Sequence, residues 1–197
     1  TVQTVYYGLI MKEQSEPNTR ERLLDAAEMV VLERGVNAMT LEAVAAQAKV
    51  SKGGLLYHFP SKDAVVLGMI SRMISMVEQR FAVELQKELP GRGRHAHALL
   101  RIMMDTGSGA LFPKVQKVAS PLRAAMVNNP DMLEPIRCFL NRVHQGMIAD
   151  GLSPDRSWLV LAALDGVKFW RVFDILHPSL SDLGGLRSLL TQIIDQP

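Results

Sequence analysis

Four residues that start helices punctuate the first third of the chain: Asn18, Thr40, Ser51 and Ser61. Each offers a side-chain oxygen to the free amides of a first helical turn. Each also precedes apolar residues spaced for a helix rather than a strand. Behind Asn18, with Glu21 at capping-box spacing, Leu23, Ala27, Val30 and Val31 form one stripe. Gly35 ends it as a left-handed cap on which Val36 folds back. Thr40 starts a shorter helix with Leu41, Val44, Ala45 and Ala48 as its buried face. Val50-Ser51 breaks that helix, and Ser51 starts a third that ends near Phe59-Pro60. Ser61 starts a fourth, with Asp63 in its first turn, reading through Ile70, Ile74, Val77 and Phe81 to about Leu89.

Pro90-Gly91-Arg92-Gly93-Arg94 is the strongest breaker and reads as a linker. Helical stretches follow at about His95–Thr106, Leu111–Asn128, Asp131–Asp150, Pro154–His177 and Asp182–Asp195, and no strand alternation persists anywhere. The expected fold is all-α with about nine helices. Residues 1–17 read as an N-terminal arm or an expression remnant, 18–63 as a helix-turn-helix domain, and 64–197 as a second helical domain. The 197 residues are 48% hydrophobic and 21% charged, enough for a sizeable core, and a net charge of +2 announces no nucleic-acid binder by itself. A single cysteine, Cys138, excludes an internal disulfide. No apolar run approaches the ~20 residues of a membrane span, and the start lacks the layout of a signal peptide. The expected location is the cytoplasm.

The stretch AKVSKGGLLYHFPSKDAV, from Ala48 to Val65, is harder to place. Gly53 and Gly54 each cost roughly 1 kcal/mol relative to alanine inside a helix. No acid occurs from Ala43 to Lys62, whereas Lys49, Lys52, His58 and Lys62 all do. Three short helices with a stop between the second and third form a helix-turn-helix, whose last helix enters the major groove of DNA. On that reading Ser51 and the first-turn amides meet a phosphate, and the glycines let the backbone approach closely. Lys52, Tyr57, His58, Lys62 and Thr40 supply donors. The alternative is a loop between packed helices with a solvated lysine face.

The segment TRERLLDAAEMVVLERGVNAMTLEAVAAQAKVSKGGLLYHFPSKDAV, from Thr19 to about Val66, resembles the DNA-binding domain of TetR-family transcriptional regulators. The likeness lies in Gly35, Thr40, Ala45, Ala48, Val50-Ser51, Tyr57-His58-Phe59 and Lys62-Asp63 occurring in order. It implies that Thr40, Ser51, Lys52, Tyr57, His58 and Lys62 contact DNA, mostly at phosphates. The chain departs from the family's usual pattern at Gly54 and Leu56, both candidates for base or sugar contact, and Leu56 is suited to a thymine methyl. Gly53 completes the expected DNA-contacting set.

Beyond Ala64 the likeness is a general one, to the ligand-binding and dimerisation domains of that family. Pro154–His177 is apolar nearly all round, which implies burial on more than one side. The resemblance implies that the last two helices pair with their two-fold mates, with Trp158, Gly166, Leu186 and Leu190 at the dimer interface. The competing reading of these residues is plain intramolecular core. A ligand lining of Met103, Met104, Met126, Phe139, Met147, Phe169 and Trp170, with Arg123, His144 and Asp165 as polar anchors, favours a small hydrophobic or aromatic effector. Asn141 and Lys168 are further polar groups there. Core packing explains the same residues, and Asp165 and Lys168 pair at i, i+3.

No phosphate loop, nucleophile elbow or metal cluster is present, and Cys138 and His144 fall on different faces of a helix. Arg92, Arg94, His95 and His97 read as a solvated corner, with weak phosphate binding as the alternative. The expected function is a DNA-binding regulator, not an enzyme and without a cofactor. It binds a palindromic double-stranded operator as a homodimer, as a repressor released by its effector. The alternative is a DNA-binding protein whose helical domain serves only dimerisation or partner binding.

Overall fold

The computed structural model describes residues 18–104, 119, 122, 125–173 and 175–196. Among these are eight bounded α-helices, one short 3-10 helix, further helical residues at 119, 122 and 125–128, and no strand. Most of the helix expected over Leu111–Asn128 lies outside the described residues. The helices are α1 (Thr19–Ala38), α2 (Leu41–Ala48), α3 (Lys52–His58), α4 (Lys62–Lys87) and α5 (Arg94–Met104). They continue, after the 3-10 helix Pro130–Leu133, with α6 (Glu134–Ala149), α7 (Pro154–Val172) and α8 (Leu180–Asp195). The chain divides into two compact units between Met69 and Ile70, inside α4.

In the first unit each expected cap is made. Asn18 accepts from the Arg20 amide at 3.2 Å, and Thr40 from Ala43, Ser51 from Gly54 and Ser61 from Ala64 at 3.1 Å each. Gly35 turns the end of α1 at φ +78°, and Val36 folds back into the core. The turn between α2 and α3 is less expected, because its left-handed residue is Lys49, at φ +56°. A left-handed residue with a Cβ costs about 1 kcal/mol or more. The turn is held by Val50 donating to the Ala45 carbonyl at 3.0 Å. Arg22 closes the same end of α2 by donating to Ala48 O at 3.0 Å, where a cation complements the helix dipole. Leu23, Leu24, Val31, Met39, Val44 and Leu55 are fully buried at its centre.

The second unit packs the rest of α4 with α5 to α8 around Phe81, Leu99, Phe139, Val143, Met147, Leu164 and Ile194. Three boundaries differ from the sequence reading. The stretch Asp131–Asp150 is two elements, because Asn129 caps a 3-10 turn before α6 begins at Glu134. The segment read as Pro154–His177 leaves the helix after Val172, closed by Ile175 donating to the Trp170 carbonyl at 2.9 Å. Apolar residues continue past that point, at Phe173, Ile175 and Leu176, and carry the sequence reading beyond the stop. The last helix starts at Leu180, since Ser179 and Asp182 form a reciprocal capping box that places Asp182 inside the first turn.

Within the chain itself α7 turns Val160, Leu161, Leu164 and Val167 into the core and leaves Trp158, Leu159, Phe169 and Trp170 exposed. One further expectation is corrected. The corner Arg92–His97 is not simply solvated. Arg92 donates to Ile194 O at 3.4 Å, and Arg94 donates to Leu85 O through two nitrogens at 2.9 and 3.1 Å. His95 meets Asp150 and His97 meets Asp195, at 2.7 and 2.8 Å. Gly93 is fixed among these contacts at φ +71°, and a Cβ there would lie 2.2 Å from Cγ2 of Ile194.

Gly93→Ala therefore combines left-handed backbone with overpacking and should cost about 2 kcal/mol or more. Urea unfolding should show a clearly lower midpoint. Gly184→Ala, in α8 with open space around it, should leave the midpoint unchanged or raise it slightly.

Candidate functional site

The seven-residue α3 is anchored by one side chain, Leu55, which is fully buried, while Phe59 just beyond it is also in the core. This anchoring turns the remaining side chains outward. Leu56 and Tyr57 are exposed, Tyr57 at 86%, and the Tyr57 and His58 rings meet edge to face at 5.1 Å. A Cβ added at Gly53 would touch nothing within 4 Å, and one at Gly54 would meet only Ser51 Oγ, at 3.3 Å. Neither glycine has a left-handed φ. The fold itself does not require glycine at position 53.

Thr40 and Ser51 are exposed, and each hydroxyl oxygen accepts an amide, which leaves its hydrogen free to be donated outward. The two lysines are held. Lys62 Nζ donates to the Asn37 carbonyl at 3.0 Å, and Lys52 Nζ lies 2.6 Å from Glu42 in the first turn of α2. The acid-free window in the sequence is thus not acid-free in space. The hydrogen bond from Lys52, a backbone amide and the lysine's charge hold the Glu42 carboxyl below its ordinary pKa. Both side chains are largely exposed, so the pair adds little stability. Its effect is on position and local charge.

In the second unit the residues expected to line a ligand site scatter. Met104, Phe139, His144 and Met147 are buried, and Met103 and Met126 are half-buried against the same core. His144 shares a hydrogen bond with Ser157 at 2.7 Å and stacks on Trp158 at 4.5 Å. Asp165 pairs with Lys168, while Phe169 and Trp170 are exposed. Arg123 lies outside the described residues. Of the expected dimer residues, Trp158 is exposed, and Gly166 and Leu186 are half-buried. Leu190 is 2% exposed within its own chain, so it serves the subunit core, and its neighbour Leu189 faces out.

A pocket of about 270 Å³ does form, lined by Glu78, Phe81, His95, Phe139, Arg142 and Val143. Only Phe139 of the expected ligand set lies in it. Its residues share helix faces at i, i+3 and i+4, Glu78 with Phe81 and Phe139 with Arg142 and Val143. That spacing was visible in the sequence. The pairing of those two faces was not.

Cys138 is exposed and donates to Glu134 at 3.3 Å, which raises its thiol pKa and disfavours the reactive thiolate. Among the described residues no group of three or more His, Cys, Asp or Glu side chains is placed to hold a metal ion, and no helix is long and apolar enough to cross a membrane.

Comparison with known proteins places these two units in one family. Residues 23–69 match the model of the bacterial regulatory proteins of the tetR family, and residues 93–195 match the tetracyclin repressor-like C-terminal domain. The HTH-type transcriptional repressor NemR of Escherichia coli (strain K12) is 32% identical over 96 residues, 49% of this chain and 47% of that protein. The HTH-type transcriptional regulator SrpR of Pseudomonas putida is 31% identical over 130 residues, 64% of this chain and 58% of that protein. The alignment thus spans about half the length of these curated relatives. Among solved structures, the multidrug binding protein EbrR complexed with malachite green superposes with a TM-score of 0.67 at 23% identity, covering 91% of this chain and all of that one. With its second half matched throughout by the C-terminal domain and its α1–α4 segment by the DNA-binding domain, the chain belongs to the TetR family of bacterial transcriptional regulators and not to an enzyme family.

Proposed function

We propose that this protein is a DNA-binding transcriptional repressor that docks α3 of two subunits on a palindromic operator and is released by a small hydrophobic or aromatic effector held in the second unit. The observation that carries the reading is the outward face of α3. Two glycines that cost helix stability sit there without an internal need at position 53, beside exposed Leu56 and Tyr57 and between two anchored lysines. Close approach of another backbone or a groove wall accounts for all of these together. Membership in a family of regulators supports the DNA-binding role, and the fold relative EbrR, solved with malachite green, supports a small-molecule effector. A protein acting on the bacterial genome works in the cytoplasm.

On this reading Lys62 is held by Asn37 so that its remaining two N–H bonds serve a phosphate, and Glu42 is a fixed negative charge beside Lys52. Titration of operator and of unrelated duplex DNA at several salt concentrations tests both points. Lys62→Ala should weaken binding to the two DNAs alike and reduce the salt slope by about 1. Glu42→Gln, by removing repulsion, should tighten binding about 3-fold at low salt, an advantage that fades as salt screens it. If neither substitution changes binding or its salt dependence, the α3 face is not the DNA surface.

The dimer is proposed to form through α7 and α8. Leu159, Ala162, Gly166, Phe169 and Phe173 follow one another at helical spacing, with the two small residues in the middle of the row. A Cβ at Gly166 would meet nothing within its own chain, so its smallness is available to a close-packed neighbour. Leu189 adds an exposed apolar side chain from α8. Two recognition helices reading one DNA face must be one helical turn apart, or a multiple of it, which a two-fold dimer provides. Light scattering should give a dimer at micromolar concentration, and Phe169→Glu with Leu189→Glu should give a monomer of unchanged helical circular dichroism. A wild-type monomer at that concentration, or a double variant that stays dimeric, would remove this seam.

A further inference from the structure

The 270 Å³ pocket of the second unit has a polarity that its composition does not announce. His95 is the key. The Oδ2 atom of Asp150 accepts the backbone amide of His95 at 2.6 Å and contacts the ring Nδ1 at 2.7 Å. An oxygen already accepting the amide is best satisfied by a second donor, so the proton of a neutral ring belongs on Nδ1. Nε2 then carries a lone pair. On that tautomer the remaining ring nitrogen, on a residue that lines the pocket, is an acceptor and not a donor.

The other polar groups of the lining are the Glu78 carboxylate and the Arg142 guanidinium, which pair with each other. That pair is made through one oxygen of Glu78, Oε1, and a carboxylate has a second oxygen with which to accept from a ligand. The Glu78 carboxylate offsets the Arg142 guanidinium, so Arg142 is not a free anion receptor. Two walls are aromatic. Phe81 and Phe139 stand edge to face with centroids 5.7 Å apart, and the His95 ring tilts toward Phe81 at 6.0 Å. Both phenylalanines are almost wholly buried, as is Val143, so these walls are fixed by the core. The volume falls just below that of drug-sized sites, which suits one or two rings.

We propose that this pocket binds a small aromatic cation bearing N–H donors, such as an amidinium or an amino-substituted heteroaromatic, with its ring against Phe81 and Phe139 and its N–H groups on His95 Nε2 and Glu78. The site stands on its own geometry, while its regulatory consequence rests on the effector-responsive reading above. Aromatic faces attract cations, and a carboxylate receives a charged donor more strongly than a neutral one. A carboxylate-bearing aromatic of the same size meets two unfavourable groups, the lone pair of Nε2 and the charge of Glu78.

Calorimetric titration of the full chain with benzamidinium, neutral benzamide and benzoate tests this directly. Benzamidinium should bind at least about 10-fold more tightly than benzamide, with benzoate weakest. Glu78→Gln, at a largely exposed ion pair whose loss leaves the core intact, should erase most of that preference, and His95→Phe, which keeps a ring but removes the acceptor, should weaken benzamidinium again. Equal binding of the three compounds, a preference for benzoate, or a benzamidinium preference that survives Glu78→Gln would overturn the site. An operator titration beside it separates the two readings. Benzamidinium that binds through Glu78 but leaves operator affinity unchanged upholds the site and removes its regulatory role. An aromatic effector that releases operator while Glu78→Gln and His95→Phe leave its affinity untouched upholds the regulator and removes the site.

Discussion

The carboxylate of Asp150 is the small anchor on which the second unit's pocket depends. It sits at the end of α6 and takes two hydrogen bonds from one residue, His95, in the first turn of α5. The amides of a first turn have no partner within their own helix, and α5 follows Pro-Gly-Arg-Gly, which offers no capping side chain. Asp150 supplies the cap from a residue distant in sequence, and its negative charge suits the positive end of the α5 dipole. The same contact orients the His95 ring, which is one wall of the cavity. Gly93 must then pass close beneath Ile194, and Arg92 and His97 tie the corner to the end of α8. One acid thus governs a turn, a helix start and the chemistry of a pocket.

The first unit places charge by a different route. Three of its cations are positioned by acceptors of the fold itself: a carbonyl for Lys62, a carbonyl for Arg22, a carboxylate for Lys52. Arg20 lies over the Phe59 ring at 5.2 Å. A long side chain already held in one region loses less entropy when it meets a phosphate. At Lys52 the same arrangement places a negative charge, Glu42, beside the cation. Where Leu55 and Phe59 hold α3 to the core, its other face is left to exposed residues. A single buried leucine can hold so short a helix only because Ser51 caps it and Phe59 closes it.

Local signals were legible in the sequence and distant pairings were not. Asn18, Thr40, Ser51 and Ser61 act within three residues of themselves, so composition and spacing revealed them, and the helix-turn-helix followed. Gly35 was equally readable. Lys49 was not, because a lysine carries no mark of left-handed backbone. In the second unit the apolar stripes located α5 to α8 but left their partners open. Methionines and aromatics there were equally good candidates for core, ligand lining or interface. Packing sent Met104 and Met147 to the core, Phe169 and Trp170 to the surface, and Phe139 alone to the pocket. Histidines that looked solvated proved to be held by aspartates 55 and 98 residues away. No pattern within a short window encodes such a pair.

The proposed regulation runs through a helix that both units share. The 26-residue α4 carries Lys62 at its start and Glu78 and Phe81 of the pocket further along. Gly68 lies between them, next to the division of the chain into its two units, and a Cβ there would meet Cε1 of Phe59 at 2.8 Å. Its smallness is therefore used by the core of the first unit. Whatever path carries the coupling, linkage requires an operator at Lys62 and a releasing ligand in the pocket to weaken each other by the same factor.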